Sequence, residues 1–175
     1  MWGLSLEPAL DRTDLLAAPV ADAIRAWKGE DAFQAAEIDP ELADTAAFCE
    51  RYGTPLDASA NCVIVAAKRG GEVRLAACVV LATTRADVNG VVRRRLDARK
   101  TSFAPQEQAV AETGMEYGGI TPFGLPAEWP VLVDRAVVET PHVVVGSGVR
   151  RSKLVVPGTA LAALASAEVI ESLAR

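Results

Sequence analysis

Thr113-Gly-Met-Glu-Tyr-Gly-Gly-Ile-Thr-Pro-Phe-Gly-Leu-Pro126 is the stretch on which the reading of this chain turns. It carries four of the 13 glycines and two of the 10 prolines in the 175-residue sequence. Helix-forming residues precede it at 105–112, and an apolar, strand-like run, Val131-Leu-Val133, follows it. Glycine gives up the most backbone entropy on ordering, so such a loop is either a tight connection or a loop whose backbone is used. Both readings fit the residues. In the first, the cluster is a plain turn between a helix and a strand. In the second, Gly118 and Gly119 let the backbone come close to a ligand and turn N–H groups toward it, and Pro122 stiffens the exit.

The segments around the loop predict the fold. Residues 62–67 are continuously apolar, as in a strand buried on both faces, and residues 73–81 return as a second strand after Gly70-Gly71. So short a link predicts an antiparallel hairpin. Upstream, the spacing of Val20, Ile24 and Trp27 predicts a helix over 18–28, followed by a strand over 33–38. Asp39 is a natural N-cap for a helix carrying Leu42, Ala46 and Cys49, which Gly53 and Pro55 stop. A helix over 84–96 with Val88, Val91, Val92 and Leu96 inward, a short strand over 100–103 and a helix over 105–112 lead into the loop. Strands over 131–138 and 142–145 and a helix over 160–164 follow it; 168–173 fits helix or strand, and the first twelve residues look irregular. This alternation predicts a mixed α+β (α/β) domain, 1–175, with a curved, mixed, mostly antiparallel sheet flanked by helices.

Composition bounds the function. Half of the residues are hydrophobic but only 5% are aromatic, so the core must be built from Val, Leu, Ile and Ala. A net charge of −5 argues against a coat of positive charge for non-specific nucleic-acid binding but leaves room for a local basic face, and no DNA partner is expected. The N-terminus does not read as a signal peptide, because Glu7, Asp11 and Asp14 interrupt it, and no apolar run is long enough to span a bilayer. Three cysteines without a CxxC and the single His142 make no zinc-ligand set, so no metal site is expected. A reducing, cytoplasmic setting is the expectation.

Gly118-Gly-Ile-Thr-Pro-Phe-Gly124 resembles the Gly-Gly-x-(Ser/Thr)-Pro-x-Gly loop of the YbaK family, the stand-alone relatives of the editing domain of bacterial prolyl-tRNA synthetases. Three further stretches match in order. Phe33-Gln-Ala-Ala-Glu-Ile-Asp-Pro40 is similar to the family's first strand and turn. Asn61-Cys-Val-Ile-Val65 is similar to the strand that begins with the family's pocket lysine. Val143-Val-Val-Gly-Ser-Gly148, with Arg150 after it, is similar to the late strand and its Gly/Ser turn. The resemblance covers residues 33–164 and implies the YbaK fold and hydrolysis of mischarged aminoacyl-tRNA without a cofactor. It places Gly118, Gly119, Ile120, Thr121 and Asn61 in the catalytic site, and Cys62, Tyr117, Pro122, Phe123, Gly146, Ser147, Gly148 and Arg150 around the substrate. One departure is plain: Asn61 stands where the family has lysine.

Several residues keep two readings. Gly146-Ser-Gly148 is not a dinucleotide fingerprint, since Arg151 occupies the place of the third glycine. It reads either as a phosphate- or ribose-facing turn with Arg150, Arg151 and Lys153 nearby, or as a solvated basic turn. The cations of 93–100 fit an RNA-facing surface or an ordinary exposed face. Tyr117 and Phe123 either wall a pocket and stack on a nucleotide or simply pack. Cys62 reads as a pocket-wall residue rather than a nucleophile, and His142 as structural. A neighbouring cation, Lys68 or Arg150, is available for the space the family lysine would fill. The expected partner is the acceptor end of an aminoacyl-tRNA. The alternative is a catalytically diverged protein that binds aminoacyl-tRNA or a related small molecule.

Overall fold

The computed structural model describes residues 1–29 and 32–175. The fold is the expected mixed α+β type, with the strands divided between two sheets. The first is antiparallel in the order β1-β2-β8-β7 (Glu7–Pro8, Gln34–Glu37, Ser152–Pro157, His142–Gly146). The second runs β5-β3-β4-β6-β9 (Lys100–Phe103, Ala60–Arg69, Glu72–Leu81, Val131–Asp134, Ala167–Ile170). Its β5, β3 and β4 are antiparallel, and β6 and β9 join in parallel. Among the described residues a single parallel bridge, Ser59 to Val144, connects the two sheets.

The β3–β4 hairpin is the longest element, with ten paired positions from Ala60–Leu81 to Arg69–Glu72. Its turn at Gly70-Gly71 has φ of +59° and +81°, a conformation that L residues with a Cβ adopt at a cost. One face of the hairpin packs Ile64, Ala66, Ala77 and Val79 into the main core with α1 (Ala18–Arg25). The other packs Val65, Cys78 and Val80 against Val88, Val92 and Leu96. Trp27, Phe33 and Phe123 meet edge to face in the main core, with ring centroids 5.0–5.6 Å apart.

Four expectations need correction. Asp39 does cap a helical turn, accepting from the Glu41 N–H at 2.9 Å, but that turn is the 3-10 segment Pro40–Leu42; the α-helix, α2, is Thr45–Tyr52. The segment over 84–96 winds as a π-turn, Val88–Val92, before one turn of α3, Arg93–Arg95, because the Asp87 side chain accepts from the Val91 N–H. The run 131–138 is not one strand. Asp134 leaves the sheet as the N-cap of α5, Arg135–Val138, and its buried carboxylate is held above the usual range by desolvation. The basic turn at 150–153 ends early, and Ser152 opens strand β8. Helices α4 (Gln106–Thr113) and α6 (Gly158–Ala162) complete the layer. No helix among the described residues is long and apolar enough to cross a membrane.

Candidate functional site

A cavity of about 430 Å³ opens where the two sheets meet. The start of β3 (Asn61, Cys62, Val63, Ile64) forms one wall. The end of β7 (Val144, Val145, Gly146) and Lys153 of β8 form the opposite wall. Thr45 and Phe48 of α2 close one side, and Gly118 and Ile120 of the glycine loop close another. Phe103 and Tyr117 stand at the cavity with most of their surface in solvent, a rare setting for aromatic side chains.

The loop owes its shape to its glycines. Glu116 to Gly119 is a turn closed by the Gly119 N–H donating to the Glu116 carbonyl at 3.0 Å, with Gly118 at φ +83° in the third position. That position of a type II turn calls for glycine. Gly119 is buried against the turn that follows β7: a Cβ there would lie 2.7 Å from the Val149 carbonyl carbon. Three hydrogen bonds zip the two loops together. The Gly148 N–H donates to the Gly119 carbonyl (2.7 Å), the Glu116 N–H to the Gly148 carbonyl (2.8 Å), and the Arg150 N–H to a Glu116 carboxylate oxygen (3.0 Å). Among the described residues, the N–H groups of Gly118 and Ile120 have no protein acceptor, whereas the Thr121 N–H points to the Met115 sulfur at 3.5 Å.

The structure divides the sequence-derived residues accordingly. Asn61, Cys62, Tyr117, Gly118, Ile120 and Gly146 line one cavity. Gly119, Thr121, Pro122 and Phe123 lie beneath it, buried, with Phe123 in the aromatic core. Ser147 is fully buried and bonds to Ser152 (Oγ to Oγ 2.6 Å); Gly148 packs on Ala17. Arg150 lies at the rim, its guanidinium donating to the Pro40 carbonyl at 3.1 Å and to the Tyr117 carbonyl at 3.4 Å. The Asn61 side chain accepts from the Thr45 hydroxyl at 2.7 Å, which fixes its amide in the wall. Burial holds the Cys62 thiol well above its usual range and pushes that of Cys78 up to about 12, so neither is a thiolate at neutral pH.

Sequence reasoning set Lys153 beside the Gly146–Gly148 turn with Arg150 and Arg151 but did not place it in the cavity wall, where among the described residues it is the one cation of the lining. Lys153 is 8% exposed, donates from Nζ to the Ala43 carbonyl at 2.9 Å, and lies 5.4 Å from the centroid of the Phe48 ring. Desolvation pushes its ammonium down to about 8, opposed by the charges of Cys49 and Asp44 and assisted by that of Arg150. Of the two cations expected to approach Asn61, Arg150 is at the rim. Lys68 sits seven residues along β3, roughly 23 Å at 3.3 Å per residue. The signal for Lys153 was a lysine directly before Leu154-Val-Val156, a charge inside a strand buried on both faces.

Residues 39–164, more than half of the chain, match the sequence profile of the aminoacyl-tRNA editing domain. The chain belongs to that family. No curated protein sequence matches it. Among solved structures, the editing domain is similar to a candidate trans-editing enzyme for prolyl-tRNA synthetase (19% identity, TM-score 0.73, covering 95% of this chain and 98% of that one). It is also similar to a scaffold protein redesigned by epitope backbone grafting (20% identity, TM-score 0.74, 89% and 95% covered). A third similar structure is that of a hypothetical protein (19% identity, TM-score 0.72, 82% and 91% covered). At these identities the structural likeness speaks for the fold; the profile match carries the family. The family's role is the editing of aminoacyl-tRNA.

Proposed function

We propose that this editing domain is a stand-alone deacylase that hydrolyses the ester between an amino acid and the terminal adenosine of a tRNA. The observation that carries the reading is that Gly118 and Ile120 both line the cavity and that neither N–H has an acceptor among the described residues. Water adds to the ester carbonyl, negative charge gathers on the carbonyl oxygen, and the carbon–oxygen bond to the ribose breaks. The ribose oxygen takes the proton the water gives up, and free amino acid and tRNA leave. Donors fixed in place before the reaction stabilise that oxygen without reorganising, and each is worth roughly 3 kcal/mol. The zipped turn supplies this fixity. Phe103 and Tyr117 offer exposed ring faces on which the unpaired bases of an acceptor end stack. Synthetases need such a step because one methylene discriminates by only about 1–3 kcal/mol.

A second reading, a protein that binds aminoacyl-tRNA without turnover, draws on Asn61, a neutral amide where the family places lysine. One experiment separates the two. The purified protein is incubated with a panel of correctly and incorrectly charged tRNAs, and released amino acid is measured. Release from one or two of them, above spontaneous hydrolysis, is the expected result. Saturable binding with no release from any would replace the deacylase by the binding protein.

A further inference from the structure

Lys153 is an unusual residue to find in the wall of a cavity. A lysine ammonium has three donors, and among the described residues only the Ala43 carbonyl accepts from it. No carboxylate of those residues pairs with it: Asp44, on the same side of the cavity, is within 4.0 Å of Arg150 instead. A buried charge is costly unless it is paired and hydrogen-bonded. The Phe48 ring face offsets part of that cost, but a ring supplies no hydrogen-bond acceptor of carboxylate strength. On the opposite wall Asn61 brings no charge, and its carbonyl oxygen is already occupied by Thr45. Among the described residues the cavity is therefore lined by one cation with unspent donors, and the one carboxylate of its lining, Asp44, is largely exposed and stands against Arg150 rather than pairing with Lys153.

We infer that Lys153 is the anchor for an oxyanionic group of the ligand, which completes the pair that the protein leaves open. The inference rests on the editing reading and deepens it. Two parts of an aminoacyl-tRNA carry such a group: the side-chain carboxylate of an acidic aminoacyl residue and the phosphate of the terminal nucleotide. The α-amino group does not qualify, since its positive charge is repelled. The environment of Lys153 supports the same assignment. Burial lowers its affinity for the proton, and an anion set against it restores that affinity, so anion binding takes up a proton near pH 8. The charged and titratable groups facing it are Asp44 and Cys49 on the α2 side and Arg150 at the rim.

The test is direct binding, by titration calorimetry at pH 7, of three non-hydrolysable probes. These are 3′-deoxyadenosine bearing a 3′-glutaminylamino group, its glutamyl counterpart, and the 5′-phosphorylated glutaminyl compound. The wild-type protein should bind one of the two anionic probes about tenfold or more tightly than the neutral one, the size of one charge-assisted hydrogen bond. The glutamyl arm names the side-chain carboxylate as the source, and the phosphorylated arm names the nucleotide. Lys153→Met should abolish the preference, and Lys153→Arg should keep part of it. A second readout needs no variant: the wild-type preference should fall between pH 7 and pH 9.5 as Lys153 loses its proton. Equal affinity for all three probes, no binding of any, a preference that survives in Lys153→Met, or one that is flat with pH would overturn the inference. Each of these results is obtained without turnover. Failure of the deacylase reading, seen as no release from any aminoacyl-tRNA, is thus told apart from failure of this one.

Discussion

Lys153→Met should make the protein more stable at neutral pH, and the gain should disappear as the pH rises. In the folded state burial takes the ammonium from 10.5 to about 8. At 1.36 kcal/mol per pH unit, the charged form at pH 7 costs the fold about 3 kcal/mol. The sign follows from proton counting. Between pH 8 and 10.5 the unfolded chain holds a proton that the folded protein has released, so wild-type stability rises with pH through that window. At pH 9.5 the remaining cost is about 1.4 kcal/mol. Methionine fills a similar volume without charge, but it leaves the Ala43 carbonyl without its donor, a loss of about 1 kcal/mol. The variant should therefore exceed wild type by about 2 kcal/mol at pH 7 and by less than about 0.5 kcal/mol at pH 9.5. Urea unfolding of both proteins at the two pH values measures the gap, provided the slope against urea is unchanged. A gap that is the same at both pH values, or a variant less stable at pH 7, would refute the reasoning.

Three other outcomes follow from the site. Gly119→Ala should cost about 2–4 kcal/mol in the same unfolding assay, because its Cβ meets the Val149 backbone and the bond from Gly148 must give; Gly118→Ala, exposed and facing a movable guanidinium, should cost about 1–2 kcal/mol. An equal cost for the two would show that the loops are not packed as described. Phe123→Ala should cost about 3–5 kcal/mol through the loss of its contacts with Trp27 and Phe33, and a cost below about 1 kcal/mol would contradict its place in the core. Cys78, buried in the sheet, and Cys62, half-buried in the cavity wall with its thiol held in the protonated form, should both resist alkylation by iodoacetamide at pH 7.5 in the folded protein and react in urea; labelling of the folded protein at the rate of free cysteine would overturn this account of the two thiols.

Much of this architecture was legible because local chemistry and tertiary packing agree. Gly70-Gly71 between two apolar runs gives the hairpin, and Pro105 ahead of helix formers gives α4. The Gly-Gly-x-Thr-Pro-x-Gly stretch led to the cavity, because a type II turn and close packing on Val149 both demand glycine there. Elsewhere a single side chain overrode the pattern. Asp134 ends an apolar run that periodicity extends to Val138, because the chain turns at this residue from β6 into α5, of which it is the N-cap. Ser147 looked like a ligand-facing hydroxyl, but Ser152, five residues on, is where its Oγ bonds. Lys153 was grouped with Arg150 and Arg151 as part of a basic turn. Nothing in three nearby cations tells that the last one faces inward; only the strand pairing Gly146 to Lys153 and Ala36 to Lys153 does.

The lone Ser59–Val144 bridge between the sheets has a consequence for how such a cavity diverges. Asn61 belongs to one sheet and Lys153 to the other, and each is held in a ladder that makes no demand on the far wall's side chains. A charged group can therefore be given up on one bank of the cleft and supplied from the other while both ladders keep their register. The place of a charge in the hollow is thus separable from its address in the chain. A column-by-column comparison would count one such relocation as two unrelated substitutions.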